Sequence, residues 1–315
     1  MKKEIFVVGI DGGGTKTEAE LCNARGKVLA RGNAGPSNFQ IIGVEEASET
    51  IVRLIQSVCR KAGIPTSALS LVVAGLTGAG RGSDQKRMVR GIRKNASAKR
   101  VRLPRVVVEG DATTALEGAF GGEVGVIVIV GTGSIVFGKD ERGKIFRAGG
   151  WGRIIEDEGS GYAIGRAALQ AVARSLDRGE HSTTLSRMIA SRFGLKDQPS
   201  IIRAIYGKGF DVAALAPHVI EAAEKHDSTA FRILQTSCKN LTETIHGMLN
   251  RMKKEGKLPD DVPLAFVGSL GSTESIYLRI LKRAISSRFP HIHIRQPKFP
   301  PVHGASLLAL SILNR

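Results

Sequence analysis

The stretch IFVVGIDGGGTKTEAEL, residues 5–21, decides the fold. Residues 5–10 are an apolar, β-branched run without a polar interruption, which predicts a strand buried on both faces. Asp11 and three glycines follow, and residues 16–22 then have the composition of a second strand. Glycines let the backbone approach a ligand closely, and the N–H groups of such a turn form an anion-binding concavity. The stretch therefore predicts a β-hairpin whose turn binds phosphate.

Two other kinds of phosphate-binding turn do not fit this stretch. It lacks the GxxxxGK[ST] pattern of a P-loop, and a strand follows the glycines where a dinucleotide-binding turn has a helix. A third strand is predicted at residues 27–32. Asp11 stands at the end of the first strand, where its carboxylate can hold a hydrated metal ion against a phosphate. A tight hairpin without a ligand is the alternative, so the argument needs a second site.

The composition indicates a globular protein with two domains. The chain has 315 residues, of which 42% are hydrophobic, and no apolar stretch is long enough to span a membrane. The N-terminal residues MKKEIFVV do not form a signal peptide, so we expect a cytoplasmic protein without a membrane partner. Cys22, Cys59 and Cys238 match no zinc or cluster spacing, which predicts reduced, buried thiols.

The net charge of +17 favours anionic partners such as nucleotides or phosphosugars. Part of the excess is local: residues 81–105 contain ten Lys or Arg and a single acid, Asp84. No aromatic side chain that could stack on bases is interleaved there, and no helix-turn-helix or zinc-finger pattern is present. We therefore favour a solvated helix face over a nucleic-acid surface, although the role of this basic stretch stays open.

The order of predicted elements repeats. The first half reads three strands, helix, strand, helix, strand, helix, and a second series of strand, glycine turn and two strands starts at residue 124. We expect an N-terminal domain at residues 1–118 and a C-terminal domain at residues 119–315 with a helical insertion at about 178–255. The last predicted helix, residues 304–313, can pack back on the first domain. Two such halves suit a nucleotide clamped between domains.

Motifs spread over most of the chain carry a family resemblance. They are DGGGTKTE from Asp11, PSN ending at Asn38, EGDATTALEGA from Glu109, IVGTGS from Ile129, GGWGRIIEDEGSGY from Gly149 and VGSLGS from Val267. The chain resembles the N-acetylglucosamine kinase and BadF-BadG-BcrA-BcrD ATPase family of the actin-like ATPase and sugar kinase superfamily. The resemblance implies an α/β fold of two similar actin-like (ribonuclease H-like) domains, each a mixed β-sheet flanked by helices, with a cleft between them. It also implies ATP and Mg²⁺ as cofactors and a homodimer.

The resemblance assigns the phosphoryl-transfer residues. Phosphoryl transfer needs positioning, charge stabilisation and a group that accepts the hydroxyl proton. Asp111 follows a buried strand and would be the catalytic base in contact with the sugar, the alternative being a helix N-cap. Asp11 would bind Mg²⁺, through water. The nucleotide would contact three backbone-rich turns: Gly13, Gly14, Thr15 and Lys16; Thr132, Gly133 and Ser134; and Gly268, Ser269 and Gly271.

Residues 149–161, GGWGRIIEDEGSG, contain the single tryptophan and three consecutive acids. By resemblance Asp157 is a sugar ligand, Gly150 and Trp151 line the sugar pocket, and Asn38 contacts the sugar from the other domain. A helix N-terminal charge is the alternative for Asp157, and core packing is the alternative for Trp151.

The resemblance predicts an ATP-dependent kinase that phosphorylates the 6-hydroxyl of an amino sugar, N-acetylglucosamine or glucosamine. A broad-specificity hexokinase is one alternative. The other is a BadF-type ATPase that acts on a protein partner, as the dehydratase activators do. Those activators bridge two subunits with a cysteine-bound iron–sulfur cluster, and the segment after the IEDEGSGYAIG motif has no cysteine. The sequence does not decide which sugar is the acceptor.

Overall fold

A computed structural model describes residues 4–179, 183–207 and 209–314 of the chain. The predicted domain limits at residues 1 and 315 and a few positions of the predicted insertion lie outside these residues. The chain divides into two compact units. Unit 1 comprises Met1–Glu123 and Gln296–Arg315, and unit 2 comprises Val124–Arg295.

Unit 1 is built on one mixed sheet. Its strands are β1 (Phe6–Gly12), β2 (Thr17–Asn23), β3 (Val28–Ala34), β4 (Leu71–Leu76) and β5 (Arg105–Gly110). Its helices are α1 (Phe39–Ile42), α2 (Val44–Ala62), α3 (Gly82–Ala98), α4 (Asp111–Phe120) and α12 (Pro301–Leu313). The strand order is β3-β2-β1-β4-β5, with β2 antiparallel to both its neighbours and β4 parallel to both of its own.

Apolar layers cover both faces of this sheet. On one face the strands pack against α2 and α3 through fully buried side chains, among them Val8, Ile10, Ile51, Ile55, Met88 and Ile92. On the other face α12 contributes Ala305 and Ala309, which pack on Val7 and Val73. Each large side chain buried in this way contributes about 1.5–3 kcal/mol to stability. Because both faces are covered, β1 and β4 hold nearly continuous apolar runs that end at the polar loops.

Unit 2 repeats this architecture. Its strands are β6 (Gly125–Val130), β7 (Ser134–Lys139), β8 (Ile145–Gly149), β9 (Val262–Val267) and β10 (Ile292–Ile294). Its helices are α5 (Gly161–Arg178), α6 (Thr184–Phe193), α7 (Gln198–Ile202), α8 (Ala216–Glu224), α9 (Ser228–Glu255), α10 (Ser269–Ser272) and α11 (Ile276–Arg288). The strand order β10-β9-β6-β7-β8 mirrors unit 1 element by element. The predicted fold class is thereby confirmed in its two mixed sheets flanked by helices.

Some limits differ from the sequence-based prediction. The units separate at Glu123, not at residue 118, because α4 continues to Phe120 and ends at Gly121 in a left-handed conformation. The predicted helical region after residue 182 consists of several helices, since Gly194 ends α6 with a positive φ and a proline stands in the first turn of both α7 and α8. Among the described residues, no helix combines the length and hydrophobicity needed to cross a bilayer.

The basic stretch is largely exposed, and the cysteines are buried. In α3 the buried side chains are Met88, Ile92 and Ala96, and most of the Lys and Arg residues around them are exposed. All three cysteines are free and buried, as predicted. The basic residues therefore form the solvated face of an amphipathic helix.

Candidate active site

The glycine turn after β1 is a tight hairpin that is hydrogen-bonded to a second loop, residues 35–38. The Gly13 N–H donates to the Lys16 carbonyl at 2.9 Å, and the Gly13 carbonyl accepts the N–H groups of Ser37 and Asn38 at 3.0 and 3.1 Å. A Cβ at Gly12 would lie 2.2 Å from Ser37 Oγ, so the contact requires glycine. The turn residues Gly14, Thr15 and Lys16 are exposed and free to meet a ligand.

Thr17 buttresses this hairpin, which the sequence did not reveal. Its buried Oγ1 lies 2.7 Å from the Gly35 carbonyl, to which it can donate, and 2.8 Å from Ser37 Oγ. Lys16 Nζ is 3.0 Å from Glu18 at the surface. The hairpin is thus held in shape by the 35–38 loop while its tip stays open.

Three polar side chains meet at the carboxyl edge of the parallel strands. Asp11 is the last residue but one of β1, Thr77 follows β4 and Asp111 follows β5, and β4 lies between the other two strands. The Thr77 N–H donates to the Gly12 carbonyl at 2.9 Å, and its hydroxyl donates to Asp111 Oδ2 at 2.7 Å. This is the edge of an open α/β sheet at which ligands bind. The sequence predicted Asp11 and Asp111 here but missed Thr77.

The Asp111 carboxylate is oriented by the start of α4. Its Oδ1 accepts the N–H of Ala112 at 2.8 Å, while Gly110 occupies the N-cap position. The N-cap interpretation of Asp111 is therefore wrong, since the residue is the first of the helix. One oxygen of its half-buried carboxylate accepts the N–H at the start of the helix, and the other accepts the Thr77 hydroxyl. Each oxygen keeps a free lone pair.

Asp11 has the more perturbed carboxyl group. The pKa of Asp11 is raised to about 6: burial is the largest cause, the charges of Asp111 and Glu18 add to it, and Lys16 opposes them. Two carboxylates that repel each other at a strand edge suit a hard cation, which Mg²⁺ satisfies through oxygen ligands and retained water. The donor set therefore fits Mg²⁺.

Asn38 caps the short helix α1 and leaves its amide nitrogen free. Its Oδ1 accepts the Gln40 N–H at 3.1 Å, and within the described residues its Nδ2 makes no hydrogen bond. A Cβ at Gly78 would lie 3.5 Å from Asn38 Oδ1, so Asn38 borders the loop that carries Thr77. Unit 1 thus gathers Asn38 and Asp111 around one loop.

In unit 2 the turn between β6 and β7 is tied to the start of α5. The Gly131 carbonyl accepts the Gly161 N–H at 2.8 Å, and the Thr132 carbonyl accepts the Tyr162 N–H at 3.1 Å. Ser134 Oγ donates to the Glu158 carbonyl at 2.7 Å, so this hydroxyl already serves the loop. These hydrogen bonds therefore fix the shape of the turn.

A small pocket of about 130 Å³ lies beside this turn. It brings together Thr132 and Ser269, which the sequence had assigned to separate nucleotide turns. Gly268 precedes Ser269 with a φ of +90°, and a Cβ there would lie 2.5 Å from the Val130 carbonyl oxygen. The rest of the lining includes Asp211, Ala213, Ala214, Ala216 and Pro217. The sequence missed these residues, because they stand in the helical segment without a matching motif.

Asp157 is held in a strained conformation against the turn between β6 and β7. It has a φ of +77°, and only 7% of its surface is exposed. A Cβ at Gly133 would lie 2.8 Å from Asp157 Oδ2, so the two residues touch. Burial raises the pKa of Asp157, which the N–H of Gly152 partly offsets. Strain at a buried carboxylate is typical of functional sites.

The segment before Asp157 exposes its apolar side chains. Trp151 is 70% exposed, so the core-packing interpretation of this residue is wrong, and Ile154 and Ile155 are exposed as well. The Arg147 guanidinium lies 5.8 Å from the Trp151 ring and donates to the Gly150 carbonyl at 2.6 Å. Arg147 therefore fixes the loop that presents the tryptophan.

The predicted site residues fall into two sets, one in each unit. Unit 1 holds Asp11, the 13–16 turn, Asn38 and Asp111, and unit 2 holds the 132–134 turn, Gly150, Trp151, Asp157 and the 268–271 turn. Each set combines a hydrogen-bonded glycine turn with a buried or half-buried carboxylate.

Comparison with known proteins places the chain among sugar kinases and ATPases. The profile of the BadF/BadG/BcrA/BcrD ATPase family matches residues 8–309. The chain is 31% identical to an N-acetylmuramic acid/N-acetylglucosamine kinase of Clostridium acetobutylicum over 97% of this chain and 98% of that protein. It is 29% identical to an N-acetyl-D-glucosamine kinase of Dictyostelium discoideum over 99% of both chains.

Solved structures agree with these relatives. The chain is similar to a Chromobacterium violaceum protein assigned as an N-acetylglucosamine kinase, with a TM-score of 0.69, 27% identity, and coverage of 97% of this chain and 98% of that one. A ROK hexokinase from Thermus thermophilus shares the fold at a TM-score of 0.63 and 17% identity, over 98% and 99% of the two chains. The family resemblance predicted from the motifs is confirmed.

Proposed function

Because the chain belongs to the BadF/BadG/BcrA/BcrD ATPase family and therefore uses ATP, we propose that it phosphorylates the 6-hydroxyl of an amino sugar. N-acetylglucosamine and glucosamine are the acceptors we favour. The Clostridium and Dictyostelium relatives act on N-acetylglucosamine, and a 27% identical Vibrio cholerae relative, matched over 75% of this chain and 78% of its own length, is a glucosamine kinase.

The observation that carries this proposal is the orientation of Asp111. Its carboxylate stands at the carboxyl edge of the sheet, fixed by Thr77 and by the Ala112 N–H. A general base must be held within hydrogen-bond reach of the proton that it accepts. Asp111 would take the proton of the sugar hydroxyl as that oxygen attacks the γ-phosphate.

The glycine turns would bind the nucleotide through their backbone. The exposed Gly13–Lys16 turn of unit 1 offers N–H groups and the Lys16 ammonium to phosphate oxygens. In unit 2, Thr132 and Ser269 line the pocket in which we place the nucleoside end of ATP. Asp11 would hold Mg²⁺ through water, and the ion would neutralise charge on the β- and γ-phosphates.

The sugar would be recognised by carboxylate and amide groups. The buried Asp157 can accept hydrogen bonds from two sugar hydroxyls, and the free Asn38 amide can donate one. The exposed Trp151 ring and the neighbouring Gly150 would supply an apolar wall for the sugar. Sugar rings present alternating polar edges and apolar faces, so this combination suits a hexose or an amino sugar.

The test is an ADP-release assay coupled to a sugar panel. The panel contains N-acetylglucosamine, glucosamine, N-acetylmuramic acid, glucose and a sample without sugar. We expect release that depends on one of the amino sugars. Equal release with glucose would favour the broad-specificity hexokinase, and release that no sugar changes would favour an ATPase that acts on a protein partner.

A matched pair of variants tests the base. In Asp111→Asn we expect kcat to fall by about 10²–10⁴-fold, the usual contribution of a general base, with sugar binding retained. Asp260→Asn removes an exposed carboxylate that forms no hydrogen bond or ion pair among the described residues, and this variant should behave as wild type. Near-wild-type turnover in Asp111→Asn would remove Asp111 from this role.

A further inference from the structure

A buried cluster of three different donor groups lies on the far side of β2 from α2. Glu20 and Cys22 are two positions apart in β2, so their side chains lie on the same face of the strand. His303, from α12, lies against this face. Glu20 and Cys22 are fully buried. His303 Nδ1 lies 2.5 Å from Glu20 Oε1, and Cys22 Sγ lies 3.4 Å from the same oxygen. The three donor atoms all lie within 4.8 Å of one another.

We propose that Glu20, Cys22 and His303 bind one divalent transition-metal ion, for which Zn²⁺ is the best fit. Thiolate, imidazole and carboxylate are the ligands that Zn²⁺ takes in proteins. Bond lengths of about 2.0–2.3 Å in a tetrahedron separate donor atoms by about 3.3–3.6 Å. The Cys22–Glu20 separation already meets this range. The His303–Glu20 separation must widen by somewhat less than about 1 Å, which a rotation of the imidazole supplies.

An unsatisfied hydroxyl points at the same place. Ser306 is one turn after His303 on α12, its side chain is fully buried, and its Oγ lacks a hydrogen-bond partner of normal geometry among the described residues. This hydroxyl faces the Cys22 thiol. Buried hydroxyls normally find partners, because an unmet one costs about 1–3 kcal/mol. Ser306 can complete the coordination shell directly or through a water molecule.

Charge favours a cation of charge two at this place. With the carboxylate of Glu20, the thiolate of Cys22 and a neutral His303, one Zn²⁺ makes the buried cluster neutral. Binding would release the proton of the Cys22 thiol, because the ion takes a thiolate ligand. The second oxygen of Glu20 stays with Arg31, whose Nε is 3.4 Å away, and such an outer contact orients a ligand.

The cluster has an access path and a structural consequence. The His303 side chain is 12% exposed, which opens the site to solvent on one side, and the Phe299 ring lies 4.5 Å from the imidazole and holds it. The ion would join β2 to α12 across 283 positions of sequence. The Glu20–Cys22–His303 site offers sulfur and nitrogen donors, whereas the Asp11 site offers only oxygen. Mg²⁺ should therefore not compete with Zn²⁺ for this site.

The competing explanation is a buried Glu20–His303 ion pair that needs no metal. The two explanations differ in what Cys22 does, because the ion pair leaves the thiol protonated and a metal ion makes it a thiolate ligand. A variant that changes only the thiol therefore separates them.

Untagged full-length protein, stripped with chelator, is titrated with Zn²⁺ and then passed through a desalting column before its metal content is measured. We expect one Zn²⁺ per chain and a rise in Tm on binding. Cys22→Ala and His303→Gln should each weaken Zn²⁺ binding by about 100-fold or more, since even partners of ligands are worth about 10- to 100-fold. Cys59→Ala removes a buried thiol outside the cluster and should bind as wild type.

Co²⁺ gives a second readout, which is measured on the wild-type protein and does not depend on the folding of a ligand variant. Wild-type protein loaded with Co²⁺ should show a thiolate-to-metal charge-transfer band in the near ultraviolet, and Cys59→Ala should keep it. Absence of this band, or Zn²⁺ retention that is equal in wild type and Cys22→Ala, would overturn the proposal and leave the ion pair as the explanation.

Discussion

The Thr77 hydroxyl donates a 2.7 Å hydrogen bond to Oδ2 of Asp111. The two residues follow the neighbouring parallel strands β4 and β5, and Thr77 is itself anchored by its N–H to the Gly12 carbonyl. One threonine thus connects the glycine hairpin after β1 to the proposed catalytic carboxylate. Its hydroxyl fixes the direction in which Asp111 can accept a proton.

We expect Thr77→Val to lower kcat by about 10- to 150-fold, because a hydrogen bond to a charged group contributes about 1.5–3 kcal/mol. The KM for the sugar should change little, since the Thr77 hydroxyl donates to Asp111 and does not contact the sugar. Steady-state kinetics check both values. Thr77→Ser keeps the hydroxyl and is the matched control. Wild-type kcat in Thr77→Val, or a loss in Thr77→Ser as large as that in Thr77→Val, would mean that the hydrogen bond to Asp111 does not determine turnover.

The residues of this edge show what the sequence can and cannot predict. The run before Asp11 and the glycines after it predicted the hairpin, because a doubly buried strand and a turn that only glycine fits leave strong local signals. Thr77 left no such signal. Its role arises from the register of β4 between β1 and β5, and a threonine in a glycine-rich loop is compatible with many other roles.

Asp11 should give metal binding a pH dependence. Burial first, and then the charge of Asp111, raise its pKa to about 6, so the carboxylate is protonated below that pH. Cation affinity in the presence of a nonhydrolysable ATP analogue should therefore fall as the pH drops through this value. We expect a loss of about 10- to 100-fold, comparable to removing a partner of a metal ligand. Mn²⁺ binding followed by electron paramagnetic resonance between about pH 5 and 8 measures it.

Asp111→Asn is the informative variant for this titration. It removes the second cause of the raised pKa, so Asp11 should ionise at lower pH and the loss of cation affinity should begin at lower pH. Asp260→Asn should leave the profile in place. A profile that does not move in Asp111→Asn would mean that the two carboxyl groups do not interact.

The pocket of unit 2 in which we place the nucleotide shows a second limit of sequence analysis. Thr132 and Ser269 belong to motifs and could be assigned, whereas Ala213 and Pro217 stand in a helical segment whose position follows from packing alone. The break of that segment into several helices depends on turns such as Gly194, and these turns fix which residues reach the pocket. Periodicity predicts a helix but not the place at which successive helices fold back.

The contact between Gly133 and Asp157 predicts a defect in sugar binding. In Gly133→Ala the new methyl group would lie 2.8 Å from Asp157 Oδ2 and must displace the carboxylate. We expect kcat/KM for the sugar to fall by up to about 100-fold, the effect of misplacing a site group by about 1 Å. Gly247→Ala, in α9 with no neighbour within 4 Å, should keep wild-type kinetics. Unchanged sugar kinetics in Gly133→Ala would argue against Asp157 as a ligand.

Asp227 links α6 to α9 and should make stability depend on pH. Its buried carboxylate accepts the N–H groups of Thr229 and Ala230 at the start of α9 and that of Leu185 in α6. Burial raises the pKa of Asp227, but the Ala230 and Leu185 N–H groups and further donors outweigh it, so the pKa is lowered overall.

A lowered pKa in the folded state fixes the sign of the effect. The stabilising contribution of Asp227 is fully present above its unfolded pKa of about 3.9 and is lost as the pH falls through the lower, folded value. Asp227→Ala should cost about 1–2 kcal/mol at neutral pH, as for other helix caps, and the deficit relative to wild type should shrink in acid. Urea unfolding at neutral and acidic pH measures it, with Asp260→Asn as the control. A deficit that is the same at both pH values would mean that the charge of Asp227 contributes nothing and that only the shape of the cap matters.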